Sequence, residues 1–256
     1  MLERVRIVLV RPRRGGNVGS AARVMKNVGL QELVLVAPRT RVGEVGARMA
    51  AHARDVLAAR TTAPDLATAV GDCLLVVGTA GRDFAHLAPV DPRTAAREIV
   101  AASARGRVAL VFGPEDHGLS NADLGRCQRL VRIPTADAYP SLNLAQAIAV
   151  CGYELLCAAR AADAEATRAD VPSRRRRSVA ASTPADERAP ASNAEREALL
   201  AHLEQALDGI GFLSRQNPGH ILADMRALFA RAGLTRRDVK IWRGIARQML
   251  WAARRG

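Results

Sequence analysis

Four loops rich in glycine and small polar residues hold the side chains of this chain that could do chemistry. They span residues 15–20, 78–82, 113–120 and 139–145. Glycines in such loops let backbone donors and acceptors approach a ligand closely. Glu115, in the third loop, could receive a cation or orient a neighbouring polar group. Each loop is therefore a candidate part of a ligand site, although the second and third could also be ordinary strand-to-helix turns.

Several polar side chains in or near these loops have a structural as well as a chemical interpretation. Asn17 and Ser141 both suit the N-cap of a helix. Arg23 falls on the side of its helix away from the apolar stripe, where a charge is ordinarily solvated. His117 could act as a base, but without a paired carboxylate or nucleophile at a recognisable spacing it is more typical of a surface turn.

Short apolar segments rich in β-branched residues recur between helical patterns. They are the predicted strands that position the four loops. They span residues 5–10, 33–36, 74–77, 108–112 and 130–133. A helical pattern at 17–28 separates the first two and stops at Gly29, a residue that commonly ends helices. Strands this apolar, separated by helices, are typical of a parallel α/β sheet. Ligands bind such sheets beyond the carboxyl ends of the strands, where the four loops lie.

The character of the chain changes after the fifth strand. A long apolar helix is predicted at about 142–162, followed by a segment of mostly Ala, Arg, Asp, Ser, Thr and Pro without apolar periodicity. Three helices follow, at about 194–208, from Asn217-Pro218, and from Thr235 with Asp238 three residues on. We therefore predict an α/β domain at 1–162, a flexible linker at 163–193 and a small helical domain at 194–256.

The chain is strongly basic, with 38 Lys and Arg against 25 Asp and Glu. All but two of these basic residues are arginines, whose planar guanidinium pairs with phosphate, so a polyanionic partner is expected. A general bias toward alanine and arginine would also produce this charge. Aromatic residues are only 3% of the chain, so phosphate contacts rather than base stacking would dominate nucleic-acid binding. Two groups of basic residues lie beyond the first domain, namely the arginine run 174–177 and the set Arg226, Arg231, Arg236, Arg237, Lys240, Arg243 and Arg247.

The four cysteines show no CxxC pair and no histidine at metal-ligand spacing. Neither a metal site nor a disulfide framework is therefore expected, and the residues are interpreted as thiols of a reducing compartment. The N-terminus lacks the apolar segment of a signal peptide, and no apolar stretch was expected to reach membrane-spanning length. We predict a cytoplasmic protein with no membrane partner.

A nicotinamide-dependent oxidoreductase is one alternative that the α/β pattern allows. The first loop resembles a dinucleotide fingerprint only superficially, because its glycines are not spaced G-x-G-x-x-G. No acidic residue ends the second strand, where Val36 and Ala37 stand. Both features argue against dinucleotide binding.

Three polar motifs, in order along the chain, together resemble one family. They are Asn17 with Arg23 six residues on, the segment 112–120 (Phe-Gly-Pro-Glu-Asp-His-Gly-Leu-Ser), and the segment 141–143 (Ser-Leu-Asn). The family is the TrmH/SpoU branch of the SPOUT superfamily of RNA 2′-O-methyltransferases. The resemblance narrows to the enzymes that act on nucleotide 32 of tRNA through four further stretches, Gly78-Thr79, Asn217-Pro218, Leu228-Phe229 and Arg243-Gly244-Ile245.

The resemblance implies S-adenosylmethionine-dependent 2′-O-methylation of a tRNA ribose in the anticodon loop. It also implies a homodimer whose α/β domain ends in a deep trefoil knot, which patterning alone does not predict because unknotted chains are the rule. Methylation of another tRNA or rRNA site, or a catalytically silent RNA-binding relative, are alternatives with the same fold. The presence of every polar motif residue favours the enzyme.

The family's functional residues carry over onto two sets of positions. The set expected to line the adenosylmethionine pocket, largely through backbone groups, is Thr79, Ala80, Gly81, Gly113, Ile133, Pro140, Ser141 and Leu142. Pro140 has no backbone N–H and can contribute only as an acceptor. The set expected at the reacting ribose is Arg23, with Asn17, Glu115, Ser141 and Asn143 organising the site.

The resemblance leaves two roles open for Arg23. A guanidinium is essentially always protonated, so service as the base would require unusual activation. We expect instead that Arg23 positions the RNA by a phosphate and stabilises developing alkoxide charge.

Overall fold

The structure is a computed structural model that describes residues 1–81, 84, 87–169, 185–213 and 218–254. It divides into two compact units, Met1–Pro172 and Ser173–Gly256. Three sequence predictions concern Arg82, Asn217 and the central part of the linker, 170–184 with its arginine run, and these lie outside the described residues. The two units are described separately below.

The first unit is built on a six-stranded parallel sheet, which confirms the predicted parallel α/β sheet. Its strands are β1 Val5–Val10, β2 Glu32–Val36, β3 Thr61–Ala63, β4 Leu75–Thr79, β5 Val108–Phe112 and β6 Arg129–Val131. They lie in the order β3-β2-β1-β5-β4-β6. In the centre of the sheet Val8 pairs with Val34 of β2 on one side and Val111 of β5 on the other. The carboxyl ends of β1, β5, β4 and β6 therefore meet at one edge.

Helices cover both faces of this sheet. They are α1 Gly15–Asn27, α2 Gly43–Ala50, α3 Arg54–Ala58, α4 Leu66–Val70, α5 Pro92–Ser103, α6 Asn121–Leu124 and α7 Leu144–Ala169. One core packs α1, α5 and α7 against the sheet around Met25, Ile99 and Ile148. The core of the opposite face contains Leu66 of α4 and Leu124 of α6. Both sides of the sheet are thus buried, as the apolar strands predict.

Strand β3 and helix α1 differ from the sequence prediction, as do two helices described further below. β3 has only three residues, two of them exposed, and so lacks the apolar pattern by which a strand is detected. Helix α1 begins at Gly15 with Arg14 as its N-cap, two residues before the predicted start. The predicted stop is confirmed, because α1 ends at Asn27 and Gly29 has a φ of 78°.

Helix α7 is longer than predicted and continues through Ala169. Its stretch Leu144–Thr167 is long and apolar enough to span a membrane by composition, with a mean hydropathy of 1.3, so the expectation that no stretch reaches this length is wrong. One side of the helix nevertheless packs into the core with α1 and α5, through Ile148, Cys151 and Leu155. An apolar stripe that packs against a sheet domain explains the composition of this helix.

The second unit is helical, as predicted. It contains α8 Ala185–Arg188, α9 Asn193–Gly209, α10 Pro218–Ala232 and α11 Arg236–Ala253, of which the short α8 was not predicted. Ser192 and Thr235 each form a capping box at the start of α9 and α11, the latter with Asp238 as the sequence indicates. The core of the unit contains Leu199, Leu203 and Phe229.

Candidate functional site

A cavity of about 340 Å³ opens where the loops after β4, β5 and β6 converge beyond the sheet edge. This size is typical of a site for a small organic ligand. Its walls come from the segments 79–81, 112–118, 131–135 and 140–147, which the strand order and the loop after β6 bring together. The lining residues are Thr79, Ala80, Gly81, Phe112, Gly113, Pro114, Glu115, Asp116, His117, Gly118, Val131, Ile133, Thr135, Pro140, Ser141, Leu142, Leu144 and Ala147.

Gly113 shapes the floor of this cavity because no larger residue fits there. A Cβ at Gly113 would lie 2.2 Å from the carbonyl carbon of Gly118. The loop therefore folds back tightly on itself, and the N–H of Gly118 donates to the carbonyl of Pro114 at 3.0 Å. The tight turn places consecutive side chains, including Glu115 and His117, along one cavity wall.

Glu115 connects this wall to the loop before α1. Its carboxylate accepts hydrogen bonds from the backbone N–H groups of Arg13 (3.0 Å) and Arg14 (3.2 Å) and from Nδ2 of Asn17 (2.8 Å). Partial burial raises the pKa of Glu115, but these hydrogen bonds outweigh it and hold the pKa below its usual value. Glu115 is thus an ionised carboxylate whose acceptor capacity is largely used by the protein itself.

Asn17 extends this connection to the third motif. Its Oδ1 accepts a hydrogen bond from Nδ2 of Asn143 at 3.2 Å. Asn143 in turn opens α7, since its Oδ1 accepts from the N–H of Ala145 and its own N–H donates to Oε1 of Gln146. A row of polar groups, Glu115–Asn17–Asn143, therefore joins the three motifs beside the cavity.

These contacts correct two structural interpretations of the sequence. Asn17 does not cap α1, because it lies within the first turn and its side chain reaches Glu115 instead. Ser141 does not cap α7, because Asn143 makes the hydrogen bonds of a cap, and Ser141 lines the cavity. Local propensity indicated a cap near each position but not which residue would find a partner across the fold.

His117 and Asp116 form a pair on the cavity wall that the sequence interpretation missed. Nδ1 of His117 lies 2.6 Å from Oδ1 of Asp116, and Nη2 of Arg13 lies 2.8 Å from Oδ2 of the same carboxylate. The carboxylate is adjacent in the sequence, a spacing at which side chains usually diverge. The tight turn at Gly113 brings them together, so His117 has the paired carboxylate that it was expected to lack.

Arg23 stands apart from the cavity. It lies on α1 six residues after Asn17, which is about 9 Å along a helix. Its side chain is exposed, it does not line the cavity, and no hydrogen bond or ion pair is found for it within the described parts of the chain. The arginine is therefore free to meet a charged group from outside this unit.

The structure thus brings most of the predicted site residues together. All eight residues expected in the cofactor pocket line the single cavity described above, as do Glu115 and Ser141, while Asn17 and Asn143 are hydrogen-bonded at its edge. Sequence reasoning missed Asp116 and Thr135 as lining residues, and rated His117 as a surface turn residue. Their position within or beside the motif loops was the available signal.

The cysteines contribute no chemistry to this cavity. All four are free thiols, and burial raises the pKa of Cys73, Cys127 and Cys151 to about 12. In the described ranges no three His, Cys, Asp or Glu side chains are grouped as metal ligands. The polar groups at the cavity are therefore those of the loops alone.

Comparison with known protein families assigns both units. Residues 4–153 match the SpoU rRNA methylase family, and residues 194–256 match the C-terminal domain of the tRNA methyltransferase TrmJ. The first match covers the sheet, the four loops and all of the cavity lining. The second begins within α9, close to the predicted start of the helical domain.

Individual relatives match over nearly the whole chain. The tRNA (cytidine/uridine/adenosine-2′-O-)-methyltransferase TrmJ of Pseudomonas aeruginosa is 38% identical over 99% of this chain and 96% of its own. TrmJ of Salmonella typhimurium, a tRNA (cytidine/uridine-2′-O-)-methyltransferase, is 37% identical over 96% of both chains. The crystal structure of TrmJ from Z. mobilis superposes with a TM-score of 0.74 at 30% identity, covering 95% of this chain and 98% of that one. The chain therefore belongs to the SpoU family of methylases and, within it, to the TrmJ group.

Proposed function

We propose that this protein transfers the methyl group of S-adenosylmethionine to a ribose 2′-hydroxyl of tRNA, at nucleotide 32 in the anticodon loop. The observation that carries the proposal is one cavity in which all eight expected cofactor residues meet, with Asn17 and Asn143 hydrogen-bonded at its edge. The tRNA methyltransferase names of the relatives support the substrate class.

The residues at the cavity fit S-adenosylmethionine. Its volume, about 340 Å³, is in the range of small-ligand sites, and the close approach at Gly113 exposes backbone groups to a ligand. Ile133 and Leu142 offer apolar surface to an adenine ring, and the loop 79–81 offers backbone donors and acceptors to polar groups. When bound, the cofactor supplies an electrophilic methyl group on a cationic sulfonium. The carboxylates of Glu115 and Asp116 provide a negative environment for that charge.

The polar row beside the cavity preorganises the site. Glu115 is held in its ionised form and fixes Asn17, and Asn17 fixes Asn143 at the start of α7. Because each group is already hydrogen-bonded, no reorganisation is needed when the substrate enters. In this proposal the row positions the ribose, with Ser141 on the cavity wall beside it.

Arg23 acts on the RNA in this proposal. Its exposed guanidinium pairs with a phosphate next to the target nucleotide and stabilises the negative charge that develops on the 2′-oxygen. We also propose a homodimer. Arg23 does not line the cavity of its own chain, so in a dimer it can act at the cavity of the partner subunit. The exposed apolar side of α7, with Val150 and Tyr153, supports its use as the dimer interface.

The remaining organisation follows from the family. We include in the proposal a trefoil knot at the C-terminal end of the first domain, a cytoplasmic location without a membrane partner, and a division into an α/β domain, a linker and a helical domain that begins near residue 194. The compact units Met1–Pro172 and Ser173–Gly256 agree with a division within the predicted linker. The continuation of α7 to Ala169 indicates that the first domain extends several residues beyond 162.

Two other activities share this fold. Methylation of another tRNA or rRNA site would use the same cavity, and the name of the matching family mentions rRNA. A catalytically silent RNA-binding relative would need neither the cavity nor the paired polar row. The retention of both favours an enzyme, and the match of residues 194–256 to a tRNA methyltransferase domain favours tRNA.

A methyl-transfer assay with two matched tRNAs tests the proposal. One transcript carries a normal ribose at nucleotide 32, and the other carries a 2′-deoxyribose there, which removes the nucleophile without changing the base. Labelled adenosylmethionine should methylate the first tRNA and leave the second unlabelled. Equal labelling of both would show that position 32 is not the target, and no labelling of either tRNA or of rRNA would support a silent relative.

A further inference from the structure

Several arginines around the first loop carry charge that the chain does not neutralise. Between positions 11 and 48 there are eight basic residues and two acidic ones, Glu32 and Glu44. Three of the basic residues form ion pairs, namely Arg11 with Asp123, Arg13 with Asp116 and Lys26 with Asp55. The other five are exposed and have no ion pair with the described residues, namely Arg14, Arg23, Arg39, Arg41 and Arg48. Arg23 already has a place in the proposed function, and the other four do not.

Three of these arginines, Arg14, Arg39 and Arg41, lie around the start of α1, and we call them the arginine surface. The loop after β2, which carries Arg39 and Arg41, folds back onto this helix start. The N–H of Arg39 donates to the carbonyl of Pro12 at 3.0 Å. A Cβ at Gly15 would lie 2.7 Å from the carbonyl oxygen of Arg41, so the two backbone segments are in direct contact. The three arginines therefore extend from one patch of the first unit.

The arginine surface adjoins the cavity. Arg14 is the N-cap of α1, and its backbone N–H donates to Oε1 of Glu115 at 3.2 Å. Asn17, three residues further on, donates to the same oxygen. A substrate whose reacting ribose is held beside Asn17 would therefore extend past these arginines.

The nearby acidic groups leave most of this charge uncompensated. Glu44, at the start of α2, is exposed and has no ion pair with the described residues. The carboxylates of the neighbouring loop are engaged elsewhere, because Glu115 accepts three hydrogen bonds and Asp116 contacts Arg13 and His117. The first turn of α1 contains no acidic residue, so the partial positive charge of the helix start adds to that of the arginines. The patch thus has a positive potential that attracts an anion.

Arginines at the opposite end of the sheet are neutralised within the fold. Arg6 and Arg107 share the carboxylates of Glu32 and Asp72. A general bias toward arginine also leaves unpaired arginines elsewhere, such as Arg105 before β5. Composition alone therefore does not identify a binding surface. The position beside the cavity distinguishes the arginine surface from such residues.

With the proposed function as its basis, we propose that Arg14, Arg39 and Arg41 bind phosphates of the tRNA strand that flanks the target nucleotide. A guanidinium presents paired donors that match the oxygens of a phosphate. The loop is already anchored at Pro12 and Gly15, so binding orders side chains rather than backbone. Phosphate contacts fix the register of a nucleic acid and carry no base information. The arginine surface therefore positions the RNA strand, whatever its bases.

The main test compares two pairs of arginines in the first unit. Arg39→Gln with Arg41→Gln removes two charges from the arginine surface and leaves the backbone hydrogen bond of Arg39 in place. Arg97→Gln with Arg105→Gln is the control, because it removes the same charge from exposed residues that do not line the cavity and have no ion pair with the described residues. Fluorescence anisotropy at several salt concentrations measures the binding of an unmodified tRNA transcript.

The substitution of Arg39 and Arg41 should weaken tRNA binding roughly 10-fold, and the control pair should weaken it less than about twofold. The slope of log affinity against log salt concentration should fall by about 1.4 to 1.8 in the first variant, as expected for two lost phosphate contacts. Arg39→Lys with Arg41→Lys should restore most of the affinity, since lysine keeps the charge. Affinity for adenosylmethionine should be unchanged in all three variants, because none of the substituted arginines lines the cavity.

Methyl-transfer kinetics separate RNA positioning from a structural role. In Arg39→Gln with Arg41→Gln, the tRNA concentration that gives half the maximal single-turnover rate should rise roughly 10-fold, because the lost contacts bind the ground state and the transition state equally. The rate at saturating tRNA should stay within about twofold of the wild-type rate. A variant with a damaged fold would instead lose rate at every tRNA concentration, together with cofactor affinity.

Each outcome decides between the two proposals. If the wild type methylates tRNA and the two glutamine variants bind it equally well, the arginine surface does not contact RNA although the proposed function stands. If Arg39→Gln with Arg41→Gln changes the oligomeric state measured by light scattering, the surface contacts a second copy of the chain and the inference is wrong. The inference is also wrong if affinity falls without a change in salt slope, or if lysine restores nothing. If the wild type transfers no methyl group to tRNA, the proposed function fails and the inference fails with it.

Discussion

The two units use their polar residues in different ways. In the first unit, the side chains at the cavity pair with one another across the fold, as in the row Glu115–Asn17–Asn143. In the second unit, several cations have acidic partners, but Arg231, Arg243 and Arg247 are exposed and make no ion pair with the residues described. The first unit thus holds its polar groups in place before any ligand binds, whereas the second leaves three arginines unpaired among the described residues. In the proposed function, the first arrangement orients a substrate and the second attracts a phosphate backbone.

The ion pairs of the second unit reduce the number of its basic residues that are expected to bind tRNA. Arg226 lies 2.9 Å from Glu197, and Arg237 and Lys240 share Glu187 at 3.2 and 2.8 Å. Arg236 pairs with Asp186 and Glu195. Four of the seven basic residues expected to accompany RNA binding therefore already have protein partners.

The largest expected effect concerns Arg23, an exposed arginine of the first unit that has no ion pair with the described residues. Arg23→Ala should lower methyl transfer by about 10²- to 10³-fold, as is typical when one charge-stabilising donor is removed. Affinity for adenosylmethionine should not change, because Arg23 does not line the cavity. Arg105→Ala is the matched control, since Arg105 is exposed before β5, at the other end of the sheet. An equal loss of cofactor affinity would instead indicate a structural role for Arg23.

Breaking the preorganised row should have the next largest effect. Glu115→Gln puts an amide where only an acceptor fits, so at least one of the three donors loses its partner, at a cost of about 1–3 kcal/mol. If fully expressed in the transition state, this corresponds to a rate reduction of about 5- to 150-fold. Methyl transfer under single-turnover conditions measures it. An unchanged rate would show that the row does not position the substrate.

The same variant has a pH signature in stability. Folding lowers the pKa of Glu115 below its ordinary value of 4.5, so its stabilising contribution is present above about pH 4.5 and is lost as pH falls through the folded pKa. The difference in melting temperature between the wild type and Glu115→Gln should therefore be constant near neutral pH and shrink below 4.5. A difference independent of pH would mean that the charge of Glu115 does not matter.

A double substitution tests the charged surface of the second unit. Arg243→Gln with Arg247→Gln should weaken tRNA binding and reduce the slope of log affinity against log salt concentration by up to about 2. Arg236→Gln with Arg237→Gln removes the same charge from residues that already have acidic partners, and should change the slope less. Fluorescence anisotropy with labelled tRNA at several salt concentrations measures both. Identical slopes in the two variants would show that pairing within the protein does not determine which arginines bind RNA.

The smallest effect should be confined to local structure in the second unit. Ser192→Ala removes the capping box of α9, in which the Ser192 hydroxyl accepts from the N–H of Glu195. Loss of such a cap costs about 1 kcal/mol. The unfolding transition of the helical unit should shift by a few degrees while adenosylmethionine affinity is unchanged. A change in cofactor affinity would show that the two units are coupled in stability.

The sequence predicted what depends on local pattern. The apolar strands, the stop at Gly29 and the cap at Thr235 all rest on neighbouring residues, and the structure confirms them. The sequence could not predict the hydrogen bond between Asn17 and Asn143. These residues are 126 positions apart, and only the assembled sheet brings them into contact. The sequence did not predict β3, because this segment is a strand through its pairing with β2 and not through its own composition.

The turn at Gly113 shows the same limit at short range. Asp116 and His117 are neighbours in the sequence, yet only the backward fold of the loop makes them a pair. The pocket residues could be carried over by resemblance because the loops that hold them are recognisable motifs. The motifs do not predict which of these side chains are hydrogen-bonded within the protein, because that depends on the geometry of the folded loops.

The row Glu115–Asn17–Asn143 also has a consequence for the order in which the protein becomes active during synthesis. Its hydrogen bonds join residues separated by 98 and 126 positions. Contacts of such high sequence separation form late, because the entropy of closing long loops must be overcome first. A nascent chain whose Asn143 has not yet left the ribosome lacks the start of α7, which forms the last wall of the cavity. In the proposed function, the ability to bind S-adenosylmethionine is therefore acquired only after the strands of the sheet have emerged, and this binding then stabilises the completed fold.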